Sequence, residues 1–146
     1  MSVTILLADD HPFVRRGIRN LLEAESDFTV VGEAEDGLQV IQLAEKLQPD
    51  VLVVDLMMPN LNGLEVLKQV RRRSTKTRMV VLSMHSAAPY VVEAFRSGAI
   101  GYVLKDSAPA ELIHAIRQSL LNIKYLSPKF PERLSNTLAE LIVAET

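Results

Sequence analysis

The chain has 146 residues, of which 48% are hydrophobic. It contains no cysteine and has a net charge of −2. This length favours one domain with at most a short appendage, and the absence of cysteine excludes disulfides and thiolate zinc sites. The net charge provides no overall attraction to nucleic acid or to an anionic membrane. The apolar start, VTILLA, lacks a basic flank and is too short to span a bilayer. We therefore expect a cytoplasmic protein with no membrane partner.

Short aliphatic runs alternate along the chain with longer segments of helical periodicity, which is the pattern of repeated βα units. In chain order it predicts strand Val3–Ala8, a helix from Pro12, strand Phe28–Gly32, helix Gly37–Leu47, strand Val51–Val54, helix Gly63–Arg73, strand Met79–Leu82, helix Pro89–Ser97, strand Ile100–Leu104 and a helix from Ala108 to Lys124. Phe13 and Val14 of the first helix and Leu38 of the second are predicted to face the sheet. The fold class is therefore α/β, a doubly wound five-stranded parallel sheet.

The last part of the chain differs in composition from the βα units. Ser127-Pro128 and Phe130-Pro131 interrupt regular structure, so we predict a main domain of residues 1–124 and a connector of residues 125–146. The connector has helical spacing at Leu134, Leu138, Leu141 and Ile142. A single amphipathic helix cannot bury its own apolar stripe. The connector is therefore predicted to be a short, partly helical segment that needs a partner surface.

Polar residues follow four of the predicted strands at the point where each strand ends. Asp9 and Asp10 follow the first strand, Asp55 the third, Ser83 the fourth and Lys105 the fifth. The carboxyl ends of parallel strands meet at one edge of the sheet. The sequence therefore predicts one acidic pocket with a hydroxyl and an ammonium group beside it.

Three carboxylates in one pocket repel one another unless cations neutralise them. Mg²⁺ suits this site, because it takes oxygen ligands from one or two carboxylates, waters and phosphate. A carboxylate can also attack phosphorus and form an acyl phosphate. Asp55 is the best candidate nucleophile because it follows the central strand, whereas Lys105 and Ser83 could contact phosphoryl oxygens.

Each of these residues also has a purely structural interpretation. Asp10 could cap the first helix, Asp55 could be a turn residue, Ser83 could bind loop backbone and Lys105 could be solvated. Tyr102 could simply pack within the fifth strand. Four βα junctions with the required residue types favour the functional interpretation for the set. The three histidines are not expected to bind metal.

From Val3 to Lys124 the chain resembles the receiver domain of two-component response regulators. The resemblance depends on the Asp9-Asp10 pair, the segment Asp55-Leu-Met-Met-Pro-Asn-Leu-Asn-Gly63, Ser83, Tyr102 and Lys105. It implies strand order 2-1-3-4-5, with Asp55 as phospho-acceptor and Ser83 and Tyr102 as a switch pair. It also implies that Asp10, Asp55 and the backbone carbonyl of Met57 bind Mg²⁺ directly and that Asp9 binds it through water.

Finer motifs resemble LuxR/NarL-type transcription factors: ADDHPFVRRGI, LSMH, GAIGYVLKDSAPAELIHAIR and YLSP. This resemblance implies a sensor histidine kinase as partner and a homodimer on phosphorylation, to which the connector stripe could contribute. It also implies that the protein contacts DNA only through a helix-turn-helix domain after the connector, so we expect a longer regulator. Many receivers have a cis Lys-Pro bond where this chain has Lys105-Asp106. A cis bond without proline costs about 3 to 4 kcal/mol, so we do not assume one.

Three alternatives remain beside a transcriptional receiver. A stand-alone receiver would act by docking a protein partner. An aspartate-nucleophile phosphatase would need a general acid two residues after the nucleophile, where this chain has Met57. A flavin-binding protein of the same topology would place phosphate where Asp9 and Asp10 would repel it. We therefore expect a phospho-acceptor with self-catalysed phosphotransfer and slow autodephosphorylation, not a turnover enzyme.

Overall fold

The computed structural model describes residues 2–107 and 109–145, and the side chains of the final helix as far as residue 140. Its six-stranded parallel sheet has the order β2-β1-β3-β4-β5-β6. The elements are β1 Val3–Ala8, α1 Pro12–Glu23, β2 Phe28–Ala34, α2 Gly37–Leu47, β3 Val51–Val54, α3 Gly63–Arg73, β4 Arg78–Ser83, α4 Ala88–Arg96, β5 Ala99–Leu104, α5 Pro109–Leu120, β6 Tyr125–Leu126 and α6 Glu132–Glu145. The predicted helix start at Ala108 lies outside the described residues, as do the side chains of Leu141 and Ile142.

The central strand β3 lies between β1 and β4, and all four of its aliphatic residues are buried. Burial on both faces follows because helices cover both sides of a parallel sheet. One layer of core residues joins the sheet to α1 and α5. The other layer joins it to α2, α3, α4 and α6. The doubly wound α/β fold predicted from the alternation is confirmed.

Hydrogen bonding between neighbouring chain segments continues for one residue beyond the strands at the carboxyl edge of the sheet. The amide of Asp9 donates to the carbonyl of Ala34 at 3.1 Å, and the amide of Asp55 donates to the carbonyl of Ala8 at 3.0 Å. The amide of Lys105 donates to the carbonyl of Ser83 at 2.9 Å. These hydrogen bonds fix the backbone from which the polar side chains project.

The segment after α5 packs on the domain more closely than its sequence predicts. Tyr125 and Leu126 form a sixth strand that pairs with Gly101 and Tyr102 of β5. Three side chains of the following segment are buried in the core layer beside α4, namely those of Phe130, Leu134 and Leu138. The prediction that the stripe at Leu134 and Leu138 contributes to a homodimer contact is therefore wrong, because the chain's own core covers these two residues.

Two helix faces also differ from their predicted orientation. Phe13 is 89% exposed, and Val14 and Leu38 are exposed as well. All three lie in the first turn of a helix, only a few residues after the end of the preceding strand. The helical period therefore predicts the buried side correctly only farther along each helix, as at Leu22 and Ile41.

The predicted helix to Lys124 is also too long. Helix α5 ends at Leu120, and Asn122 has φ of 59°. This left-handed conformation ends the helix, and asparagine adopts it more readily than most residues. Ile123 is exposed in the resulting turn and does not extend the apolar face of α5.

Candidate functional site

Lys105 joins two buried carboxylates at the carboxyl edge of the sheet. Its Nζ lies 2.8 Å from Asp9 Oδ2 and 2.7 Å from Asp55 Oδ2. The Lys105 side chain is 14% exposed, and those of Asp9 and Asp55 are 2% and 5% exposed. Residues from the ends of β1, β3 and β5 thus meet in one cluster, as the alternation of strands predicts.

The charge state of Lys105 depends on two opposing effects. Burial lowers the pKa of its ammonium group, whereas hydrogen bonds to Asp55 and Asp9 raise it, and the net effect is a pKa above the usual value. Lys105 therefore stays protonated throughout the physiological pH range and provides a fixed positive charge beside Asp55.

Backbone amides orient the two carboxylates that bind Lys105. The amide of Met57 donates to Asp55 Oδ1 at 2.9 Å, and the amide of His11 donates to Asp9 Oδ1 at 2.8 Å. Each carboxylate therefore uses one oxygen for the backbone and the other for Lys105. This arrangement fixes the position of Asp55 Oδ2 beside the ammonium group of Lys105.

An acidic cluster is formed by Asp9, Asp10, His11 and Asp55, and its carboxylate oxygens suit a hard cation. Single ligand atoms of Asp9, Asp10, His11 and Asp55 lie within 4.8 Å of one another. Asp10 Oδ1 is buried and accepts no hydrogen bond from the described residues, although His11 Nδ1 lies 3.1 Å away. An acceptor oxygen buried without a hydrogen bond is unfavourable, and a bound cation removes that cost. The site therefore fits Mg²⁺ through its carboxylate oxygens.

The N-terminus of α1 decides between two interpretations of Asp10. The N-cap residue of α1 is His11, and no side chain caps the helix. Asp10 therefore does not cap α1, which was its structural alternative. His11 has no predicted role, and only its position after the acidic pair could have indicated that its ring would join the cluster.

Ser83 and Tyr102 are connected through the backbone of His85. Ser83 Oγ accepts from the amide of His85 at 3.1 Å, and Tyr102 Oη donates to the carbonyl of His85 at 2.7 Å. Both side chains are fully buried. The loop between β4 and α4 thus joins the hydroxyl at the end of β4 to the ring in β5. Nothing in the local sequence indicated that the backbone of His85 would connect these two side chains.

The ring of Tyr102 lies inside the core and contacts the segment after β6. The Phe130 ring meets it edge to face, with centroids 5.9 Å apart and an interplanar angle of 81°. Burial is the main cause that raises the pKa of Tyr102 to about 12. The phenol therefore stays neutral at physiological pH and keeps its hydrogen bond to His85.

The loop after Asp55 has a shape that explains its glycine. A Cβ atom on Gly63 would lie 2.4 Å from the carbonyl oxygen of Leu56, so only glycine fits where α3 begins. Asn62 caps α3 by accepting from the amide of Leu64 at 2.8 Å. Met57 lies on this loop beside Asp55, with its side chain largely exposed. The described peptide bonds, including Lys105-Asp106, are trans.

Arg15 supports the acidic loop and is absent from the predicted site. Its Nη1 donates to the carbonyl of Asp9 at 2.7 Å, while its Nε contacts Glu33 Oε1 at 2.7 Å. Burial raises the pKa of Glu33, but hydrogen bonds from Arg19 and Arg15 outweigh this and lower it overall. Since the contact joins α1 to the end of β2, helical periodicity could not reveal it.

Comparison with known proteins identifies the family of this chain. A sequence profile of the response regulator receiver domain matches residues 5–117. The chain belongs to the response regulator receiver domain family. The nitrate/nitrite response regulator protein NarL of Escherichia coli K12 is 44% identical over 135 residues, which are 92% of this receiver domain chain and 62% of NarL. The uncharacterized transcriptional regulatory protein YxjL of Bacillus subtilis is 44% identical over 116 residues, 80% of this chain and 53% of YxjL.

Solved structures agree with this assignment. A LuxR family two-component response regulator from Aurantimonas sp. SI85-9A1 has a TM-score of 0.85 and 36% identity, covering 98% of this chain and 99% of the other. The receiver domain of RcsB from Salmonella enterica, solved with phosphomimetic beryllofluoride, has a TM-score of 0.82 and 32% identity. The match covers 92% of this chain and 99% of the RcsB chain. The chain is thus a receiver domain of a NarL-type response regulator.

The chain spans 62% of the length of NarL and 53% of that of YxjL. In these relatives, additional sequence accompanies the part that resembles this receiver domain. Among the described residues, no helix combines the length and apolar character needed to cross a membrane.

Proposed function

We propose that this receiver domain takes a phosphoryl group on Asp55 from a sensor histidine kinase, in the cytoplasm and with Mg²⁺. The observation that carries this proposal is the environment of Asp55 at the end of the central strand. Its Oδ1 accepts from the amide of Met57 and its Oδ2 contacts the ammonium of Lys105 at 2.7 Å. A carboxylate so oriented, beside a fixed cation, is prepared for attack on phosphorus.

In the proposed reaction an Asp55 carboxylate oxygen attacks the phosphorus atom of a phosphohistidine. A new O–P bond forms, the P–N bond breaks, and the imidazole leaves with the electron pair and takes up a proton. The product is an acyl phosphate on Asp55. Lys105 neutralises charge on one phosphoryl oxygen, and the Ser83 hydroxyl donates a hydrogen bond to another.

The proposed metal ligands are Asp10, Asp55 and the backbone carbonyl of Met57, with Asp9 acting through a water molecule. Mg²⁺ bound there would neutralise negative charge on the phosphoryl oxygens. Asp10 Oδ1, which accepts no hydrogen bond from described residues, supports this assignment. Slow loss of the phosphoryl group, without turnover, is expected because residue 57 is methionine and offers no general acid.

The proposed output is control of transcription by a DNA-binding domain beyond this chain. This output is supported by the similarity to NarL, a response regulator protein, and to YxjL, a transcriptional regulatory protein. Phosphorylation would reach the rest of the molecule through the switch pair, because Ser83 and Tyr102 both hydrogen-bond to the backbone of His85.

The phosphorylation site is tested by intact-mass analysis after incubation with acetyl phosphate and Mg²⁺. Asp55→Asn should gain no phosphoryl group, since the amide keeps the shape of the side chain but removes the nucleophile. Asp106→Asn is the matched control, because Asp106 is an exposed aspartate that contacts Lys129. This control should react like the wild type. Phosphorylation of Asp55→Asn to the wild-type extent would refute the assignment.

We also propose that phosphorylation promotes a homodimer through the face formed by α1 and α5. An apolar cavity lies between these helices, and exposed Phe13 and Val14 contribute to it together with Ile18, Leu21 and Leu112. Sedimentation velocity with beryllofluoride should detect a dimer, and Phe13→Ala should weaken it. A dimer unaffected by Phe13→Ala would place the contact elsewhere.

A further inference from the structure

Ser127 is the first residue after β6, and its side chain hydrogen-bonds to the end of β5. Its Oγ accepts from the amide of Leu104 at 3.1 Å, and its own amide donates to the carbonyl of Tyr102 at 3.1 Å. Ser127 is 1% exposed. Since β6 has only two residues, the Ser127 hydroxyl serves as the acceptor beyond the end of this short strand.

This hydrogen bond holds the residue directly before the site lysine. Leu104 is the last residue of β5 and Lys105 follows it directly. On the opposite edge of β5, the amide of Lys105 donates to the carbonyl of Ser83 at 2.9 Å. The backbone at Leu104 and Lys105 is therefore held from both sides, by Ser127 on one edge and by β4 on the other.

The Ser127 hydroxyl also contacts α5 and the loop before it, where Ser107 Oγ lies 3.4 Å from Ser127 Oγ. Ser127 Oγ donates to Glu111 Oε1 at 3.3 Å, and Tyr125 Oη donates to the same oxygen at 2.8 Å. Glu111 lies in the first turn of α5. One hydroxyl therefore links the end of β5 to the start of α5, on either side of the loop that contains Lys105.

We propose that Ser127 is a positioning residue for Lys105 in the phosphorylation reaction. Ser127 contacts neither Asp55 nor the acidic cluster, and it acts by fixing the backbone from which the Lys105 ammonium reaches Asp55 and Asp9. The inference rests on the proposed phosphorylation of Asp55. It assigns a role in the chemistry to a residue of the segment after α5, far along the chain from the other site residues.

The first test compares rates of phosphorylation by acetyl phosphate in two serine variants. Ser127→Ala leaves the buried amide of Leu104 without its acceptor, so the rate constant should fall about tenfold, the effect of one buried hydrogen bond. Ser119→Ala is the matched control, because Ser119 is also 1% exposed and donates to the carbonyl of Ile116 at 2.6 Å, within α5. The control should keep the wild-type rate. Equal losses in the two variants would overturn the proposal.

A second pair of variants separates the hydroxyl from the size of the side chain. Threonine and valine have nearly the same shape, but only threonine has a hydroxyl. Ser127→Thr should therefore react faster than Ser127→Val by about tenfold. Equal rates for these two variants would show that the hydroxyl plays no part and would overturn the proposal.

The third readout observes Lys105 itself. In ¹⁵N NMR spectra, the side-chain ammonium signal of Lys105 should shift in Ser127→Ala and stay unchanged in Ser119→Ala. An unchanged Lys105 signal in Ser127→Ala would overturn the proposal even if the rate fell. If the wild-type chain accepts no phosphoryl group, the proposed function fails and this inference fails with it. A phosphorylated wild type with an unaffected Ser127→Ala rejects the inference alone.

Discussion

Lys105 and Arg117 each bind two carboxylates, but in very different surroundings. Lys105 contacts Asp9 and Asp55 at 2.8 and 2.7 Å, with side chains that are 14%, 2% and 5% exposed. Arg117 contacts Glu25 and Asp27 at 2.9 Å, with side chains that are 42%, 36% and 38% exposed. The contact distances are almost the same, so the difference between the two clusters is one of solvation.

This difference determines what each cluster does for the protein. Water screens the Arg117 cluster, and exposed ion pairs contribute little to stability. The Lys105 cluster concentrates charge where water is excluded, so the loss of one partner leaves uncompensated charge. Contact distance alone therefore does not distinguish an exposed ion pair from a buried charge cluster. Burial distinguishes them, because only the buried carboxylates require a counter-ion.

The largest expected effect in this comparison is that of Lys105→Met. In the absence of a divalent cation, this variant should lose about 2 to 4 kcal/mol of unfolding free energy, because the buried carboxylates of Asp9 and Asp55 lose the ammonium group of Lys105. Urea unfolding in the presence of a chelator measures the loss, and added Mg²⁺ should reduce it. A variant as stable as the wild type in chelator would show that the buried cluster is solvated like the surface one.

A double-mutant cycle should reveal strong coupling in the buried cluster. Asp9→Asn removes one of the two carboxylates, so it should relieve part of the damage that Lys105→Met causes. The expected coupling energy is about 1 to 3 kcal/mol, because the two side chains are in direct contact. Additive losses in urea unfolding would contradict this expectation.

Arg117→Met is the surface counterpart of Lys105→Met and should have a much smaller effect. Its guanidinium group also lies over the Phe28 ring at 4.6 Å, so part of the loss is a cation–π contact. The ionic part should disappear in about 1 M salt, where the Debye length is only about 3 Å. A loss as large as that of Lys105→Met in matched urea titrations would abolish the distinction between the clusters.

The smallest effect concerns the titration of Asp27. The hydrogen bond from Arg117 is the main cause that lowers the pKa of Asp27 below its usual value of 3.8. A lowered pKa contributes stability above pH 3.8, and this contribution is lost as the pH falls through the lower folded value. NMR titration of the Asp27 carboxyl should show this low pKa in the wild type and a return towards 3.8 in Arg117→Met. The same pKa in both proteins would remove Arg117 as the cause.

The assembly of the acidic cluster could be predicted from the sequence because it depends on repetition. Each strand in a parallel sheet ends at the same edge, so the residues that follow the aliphatic runs must meet there. Asp9, Asp55 and Lys105 accordingly lie in contact. The roles assigned to them in phosphorylation remain proposals, whereas their convergence is a property of the fold.

Contacts without a periodic signal could not be predicted in the same way. Arg15 reaches the carbonyl of Asp9 only because α1 packs beside the end of β2. A strand of two residues at Tyr125 and Leu126 has no recognisable alternation. Phe13 has the right spacing for the core but is 89% exposed. Each of these features depends on which surfaces meet.

The sequence by itself determined the α/β alternation and the edge at which the acidic residues, Ser83 and Lys105 gather, because the hydrophobic period is a local property and each helix returns the chain to start the next parallel strand. Tertiary structure alone decided that Ser127 would hold the end of β5 and that Phe130 would cover Tyr102. These contacts join residues more than twenty positions apart. They form because the buried amide of Leu104 needs an acceptor and the buried ring of Tyr102 packs against an apolar neighbour.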